Sequence, residues 1–275
     1  MKYQERDERP KGLGNLFAYV AGFFRKTMVI AELEAKKLQH DPTELITRAV
    51  QPALWLLVFG QVVGRTRAFP SGNLRYQDFM TPGILAQSVL FISIFYGISV
   101  LWERDLGILQ KFLVTPTPRT ALVLGKALSA GVRGVAQSVV IYLLALAINV
   151  KMNWNPLALL GVLAIVLLGA AIFSTFSLVI AVLVKTRERF MGIGQVMTMP
   201  LFFASNAIYP ISIMPRWLQI VSKGNPLTYE VDALRAMMLQ GGTSAMGLGL
   251  DFAVLAIWMV VLVVLGGRLY ANVVR

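Results

Sequence analysis

Six apolar stretches of roughly 20 residues, separated by short charged segments, constrain this chain more than any other feature. Twenty helical residues rise about 30 Å, the thickness of bilayer hydrocarbon. Lipid offers no partner for an exposed N–H or C=O group, so such a chain must satisfy its backbone inside helices. The spans are expected near residues 44–64, 80–102, 121–149, 156–184, 191–211 and 251–269. Composition agrees, with 56% hydrophobic and only 15% charged residues, where soluble domains carry about 25%. The expected fold class is an all-α integral membrane protein with six transmembrane helices.

The formal charge of +12 comes from cations that cluster between the apolar runs. That pattern fits positive-inside topology and argues against a nucleic-acid surface. With the N-terminus inside, the tails and inner segments hold about 18 Lys and Arg and the outer segments about 7, with Arg133 inside a span. The reading is a multi-pass protein of the cell membrane with both termini cytoplasmic.

Residues 1–14 read as a disordered cytoplasmic tail, with no cleavable signal peptide, and 15–40 as an amphipathic helix in the inner interface. The rest, 41–275, reads as one transmembrane domain. Asp41 and Pro42 suit the cap and first position of the first span, and Pro52 should kink it. In the third span, Lys126, Ser129, Arg133 and Gln137 fall on one helical face, which should meet protein or water rather than lipid. The fourth span is rich in small residues, among them Gly161 and Gly169. Residues 214–239 carry too much charge to span. Gly224-Asn225-Pro226 divides them into two short amphipathic helices, read as a re-entrant hairpin at the outer interface between helices 5 and 6, with Asn225 capping the second. Leu227, Val231, Leu234 and Met238 form that helix's apolar face.

Little in the chain carries chemistry. It has no cysteine, which excludes disulfides and thiolate catalysis, and one histidine, His40, which reads as a solvated loop residue rather than a metal ligand. Gly125-Lys126-Ala127 falls short of a nucleotide-binding loop, and no metalloprotease or nucleophile-elbow motif is present. Asp251 borders the last span and reads as a helix cap. The spans show few interior carboxylates, which weakens an ion-coupled carrier or an intramembrane enzyme. Arg133 could attract an anionic head group or serve structurally by snorkelling. Met191, Met197 and Met199, near Phe202 and Phe203, make a soft surface suited to varied apolar cargo or to ordinary helix packing.

Three segments carry a resemblance: ERDLGILQKFLVTPTPR (103–119) with the following Gly125-Lys126, FFASNAIYPISIMPRWLQ, and NPLTYEVDALRAMM. In order and spacing the chain resembles type-2 ABC (ATP-binding cassette) exporter permeases, especially the daunorubicin-resistance branch, over roughly 20–270. The resemblance implies a permease subunit that is not itself an enzyme. It implies pairing with a second copy or a paralogue, and docking on a cytoplasmic ABC ATPase subunit that binds ATP and Mg. Cofactors in this chain are expected to be none. Coupling to the ATPase is expected at Glu103, Arg104, Leu109, Pro116 and Arg119, in a loop stiffened by two prolines. The translocation path is expected at the dimer interface, with Gln195, Phe202, Phe203, Asn206 and Arg133 as candidates. The implied cargo is hydrophobic or amphipathic: a drug, lipid or secondary metabolite. Export of a lipid-linked polysaccharide is the alternative within the family, and a polytopic membrane enzyme or scaffold the alternative outside it.

Overall fold

The computed structural model describes residues 43–66, 74–106, 119–184 and 186–269. Helix α1 (Thr43–Leu54) runs through a π-helical turn (Trp55–Phe59) into α2 (Gly60–Thr66). Then come α3 (Tyr76–Tyr96), α4 (Ile98–Asp105), α5 (Arg119–Ala147), α6 (Pro156–Leu183) and α7 (Arg187–Phe203). A 3-10 turn (Ile211–Ile213), α8 (Arg216–Gly224), α9 (Pro226–Met238) and α10 (Leu248–Leu269) complete the order. Among the described residues there is no strand, only an isolated bridge between Met152 and Leu239. Among the described residues four helices are long and apolar enough to cross a bilayer: Tyr76–Tyr96, Val123–Ala147, Pro156–Leu183 and Leu248–Leu269. The expected tail at 1–14, the interfacial helix at 15–40 and the Asp41 cap lie outside the described residues.

Local chemistry explains where the elements break. Pro52 lies inside α1 and has no N–H to donate. The helix widens just after it, and Gly60 N–H bonds back to the Trp55 carbonyl five residues earlier. The second expected span is two helices rather than one continuous rod. At Gly97 a side chain would collide with Ser177 and Phe190 of the neighbouring helices, and Ser177 Oγ takes the Ile94 carbonyl instead. The same span starts earlier than expected, because Arg75 pairs with Asp78 at 2.9 Å and Tyr76 anchors to the Ile208 carbonyl at 3.1 Å. The fifth expected span ends short, at Phe203. Beyond it Ser205 turns its hydroxyl back to the Phe202 carbonyl and receives the N–H of Ala207, so the backbone bonds locally instead of continuing the helix.

Two Asn-Pro pairs start helices in the same way. Asn155 accepts from Leu157 N–H at 2.9 Å above α6, and Asn225 from Leu227 N–H at 3.0 Å above α9. Asn225 also donates to the Leu201 carbonyl at 2.7 Å, which fastens the α8–α9 junction to the end of α7.

Among the described residues a smaller apolar cluster gathers Leu101, Ile180, Ala181, Val184 and Phe190, and the larger apolar core has the largely buried α3 as its central pillar. Helices α5, α6, α9 and α10 pack around it. At Gly83 a Cβ would lie 2.7 Å from the Ala207 Cα, so glycine alone lets these two backbones touch. Helix α10, by contrast, is only 17% buried and turns Ile257, Val260 and Val264 outward. That surface suits lipid tails.

Candidate functional site

The expected amphipathic face of α9 is present, with Leu227, Val231, Leu234 and Met238 fully buried. The charged residues of this helix, expected in a hairpin at the outer interface, are buried as well. Glu230 and Asp232 are 0% exposed and Arg235 is 7% exposed. Arg235 donates to the Asn206 carbonyl at 2.8 Å, lies 3.7 Å from Asp232 and stacks over the Phe79 ring at 4.0 Å. Burial lowers its pKa to about 10, with Asp232 opposing the shift, so it stays charged at neutral pH.

Asp232 in turn accepts from Ser244 Oγ at 3.0 Å, Met246 N–H at 2.9 Å and Asn206 Nδ2 at 3.4 Å. Ser244 Oγ also lies 2.7 Å from Asp251. Asp251 is therefore not the expected cap. It sits within the first turn of α10, fully buried, and faces Ser244 rather than its own helix's free N–H groups. These buried carboxylates lie on α9 and in the first turn of α10, outside the apolar interiors of the long helices. The signal was in the sequence, at Asp232 and Arg235 three residues apart, but the partners that bury them come from α3, the α7–α8 connection and the start of α10.

Glu230 stands apart from that network. Its carboxyl packs on Gly169 of α6, at a site with room for no side chain, and both its oxygens lack a hydrogen-bond partner. Burial raises its pKa well above the ordinary carboxylate value. Gly169 lies about 20 Å along α6 from its start, at 1.5 Å per residue, so α9 reaches deep among the long helices.

The polar stripe of α5 faces protein, as its spacing requires. Lys126, Ser129 and Gln137 are buried and Arg133 is half-buried. Lys126 Nζ lies 5.9 Å and the Arg133 guanidinium 4.9 Å from the Tyr96 ring centroid. Tyr96 thus receives both cations, a role its position in an apolar run did not announce.

At the opposite end from α9, Arg187 binds two features of the α4 terminus. It pairs with Asp105 at 2.5 Å and stacks over Trp102 at 3.5 Å. This joins the start of α7 to the segment expected to couple with the ATPase. Of that segment, Leu109 and Pro116 lie outside the described residues. Glu103 and Arg104 fall in α4 and Arg119 begins α5, but their side chains are not among those described.

The path candidates do not converge on one point of the protomer. Phe202 is fully buried against Trp55 at 5.9 Å, and Asn206 belongs to the Arg235 network. Gln195 is exposed and Phe203 is 42% exposed, both on α7, while Arg133 sits across the bundle beside Tyr96.

Long apolar helices packed around a helical hairpin define a polytopic membrane protein, and the sequence comparisons name its kind. Residues 25–239 match the ABC-2 type transporter family. The chain belongs to that family, whose members are the permease components of ABC transporters, not catalytic themselves and normally working with a cytoplasmic ATPase subunit. It is 30% identical to a transport permease, ycf38, of Cyanophora paradoxa, over 78% of this chain and 74% of that one. The daunorubicin resistance permease DrrB1 of Streptomyces coeruleorubidus is 26% identical over 85% of this chain and 82% of its own. The inner membrane transport permease YadH of Escherichia coli is 25% identical over 78% and 82%.

Proposed function

We propose that this chain is the transmembrane half of an ATP-driven exporter of hydrophobic or amphipathic cargo. The observation that carries this reading is the family match over most of the chain, with a drug-resistance permease among the relatives. The family's usual pairing with a cytoplasmic ATPase subunit supports a motor on another chain.

In this reading the polypeptide crosses the cell membrane six times, with both termini cytoplasmic and α8–α9 as the re-entrant outer hairpin. The depth of Glu230 against Gly169 supports an inserted α9. Two permeases pair, and each docks through residues 103–119 on a cassette subunit that binds ATP and Mg. Glu103, Arg104, Leu109, Pro116 and Arg119 transmit its closure, and Arg187 carries the movement from the α4 terminus into α7. The exposed face of α7, with Gln195 and Phe203, borders the path at the dimer interface. Phe202, Asn206 and Arg133 support the helices that line it.

The test is co-purification of the permease with its cassette subunit, followed by ATPase assays with candidate cargo in nanodiscs. Arg104→Glu should lose cassette binding while still inserting in the membrane. Unchanged binding and transport would remove the coupling assignment.

A further inference from the structure

The first three long elements, α1, α3 and α5, enclose a cavity of about 240 Å³ that the reading above does not use. Arg48 and Gln51 line it from α1, Gln87, Phe91 and Phe95 from α3, and Gln137 from α5. Thr47 and Gln51 are exposed, so the cavity opens past them to the protein surface. Its inner wall is different. Gln137 is 0% and Gln87 3% exposed, and neither the Gln137 amide nitrogen and oxygen nor the Gln87 amide nitrogen has a hydrogen-bond partner.

An unmet buried amide is costly where no water or protein group replaces its lost hydration. Three such atoms at one cavity wall are a standing demand for a ligand or ordered water that both donates and accepts. Ser88 donates its proton to the Ile84 carbonyl at 2.8 Å, so toward a ligand it can only accept. One and two turns further along the Gln87 face of α3 lie Phe91 and Phe95, stacked with ring centroids 6.1 Å apart, with Ile92 beside them. The volume is below the roughly 300–1,000 Å³ of pockets that enclose a whole drug-sized molecule.

We propose that this cavity binds the neutral hydrogen-bonding head of an amphiphile, a hydroxyl or amide group, with the attached apolar chain leaving along Phe91 and Phe95. An anionic head fits less well: Arg48 on the cavity wall already has a partner, and a carboxylate only accepts, which leaves the amide oxygen of Gln137 without a donor. The site lies within one protomer, apart from Gln195 and Phe203 on α7, and binding there needs neither a second copy nor ATP.

The test is photolabelling of the full-length chain in nanodiscs with a long-chain alcohol carrying a diazirine on its chain, followed by peptide mapping. The expected result is saturable labelling within residues 47–52 and 87–95, competed by unlabelled alcohol. The corresponding alkane, which lacks the hydroxyl, should label these peptides weakly. Gln87→Leu with Gln137→Leu should reduce labelling roughly tenfold, the equivalent of two lost neutral hydrogen bonds. Leucine suits a buried membrane position, and Gln137→Met alone gives a second reading should the double variant lose its thermal transition. Equal labelling by the alkane, unchanged labelling in the glutamine variants, or no saturable labelling because the cavity holds water only would each overturn the proposal.

Discussion

Arg235 on α9 holds the backbone carbonyl of Asn206 at 2.8 Å, across 29 residues of chain, while its guanidinium rests on Phe79 of α3. One side chain thus fixes the hairpin helix, the connection after α7 and the central pillar to one another. Asp232 balances its charge and spends its other oxygen on Ser244 and Met246, at the entry to α10. Breaking the pair strands a buried guanidinium. We expect Asp232→Ala to cost about 3–5 kcal/mol, the usual penalty for removing one partner of a buried ion pair. The thermal unfolding midpoint of the detergent-solubilised protein measures this, and Asp232→Ala with Arg235→Met should recover much of the loss.

Glu230 makes stability depend on pH in a defined direction. Its folded pKa is raised by burial above the value of about 4.5 that an exposed glutamate shows. The folded state therefore holds its proton over a range where the unfolded chain has released it. That contribution is fully present below pH about 4.5 and declines as pH rises toward the folded pKa. Melting midpoints measured from pH 5 to 9 should fall with rising pH in the native protein. Glu230→Gln should flatten the profile and raise its alkaline end.

Gly83 marks a tight backbone crossing between α3 and the segment that follows α7. A methyl group there meets the Ala207 backbone, at 2.7 Å from its Cα, and backbone cannot rotate away as a side-chain tip can. Gly83→Ala should destabilise by about 1–3 kcal/mol or more, the range for overpacking. Gly192→Ala on α7, where nothing lies within 4 Å, serves as the neutral control in the same melting assay.

Arg187 separates coupling from stability. Its ion pair with Asp105 is partly exposed, so Arg187→Ala should cost no more than about 1 kcal/mol. Cargo-stimulated ATPase activity of the assembled transporter should nevertheless fall several-fold, because the α4 terminus then moves without α7. Lysine should restore little, since it lacks the planar group that stacks on Trp102 at 3.5 Å.

The long helices were readable because length and apolarity are local properties, and Val123–Ala147 and Pro156–Leu183 lie where the runs of the sequence put them. The inward stripe at Lys126, Ser129 and Gln137 was readable from helical spacing alone. Asn225 as a cap was readable because the residue and its acceptor geometry lie within three positions. The break at Gly97 was not, since its cause is Ser177, eighty residues on. Nor was the burial of Glu230, Asp232 and Arg235. Three charges on a 13-residue helix place it at the membrane interface, and only Gly169, Phe79, Asn206 and Ser244, brought from distant positions, bury them. The amide wall failed for the same reason: the stripe turned Gln137 inward, but Gln87 alone is an isolated polar residue in an apolar run, and nothing local joins the two.

The chain contains no cysteine, so a single introduced thiol reports without background. Leu109→Cys, modified with a photocrosslinker in native membranes, asks most directly whether residues 103–119 grip a separate motor. The account predicts a covalent adduct with the cassette subunit, and labelling of this thiol by a membrane-impermeant maleimide only after the cells are opened. Labelling from outside intact cells, or no adduct while the transporter is active, would contradict it.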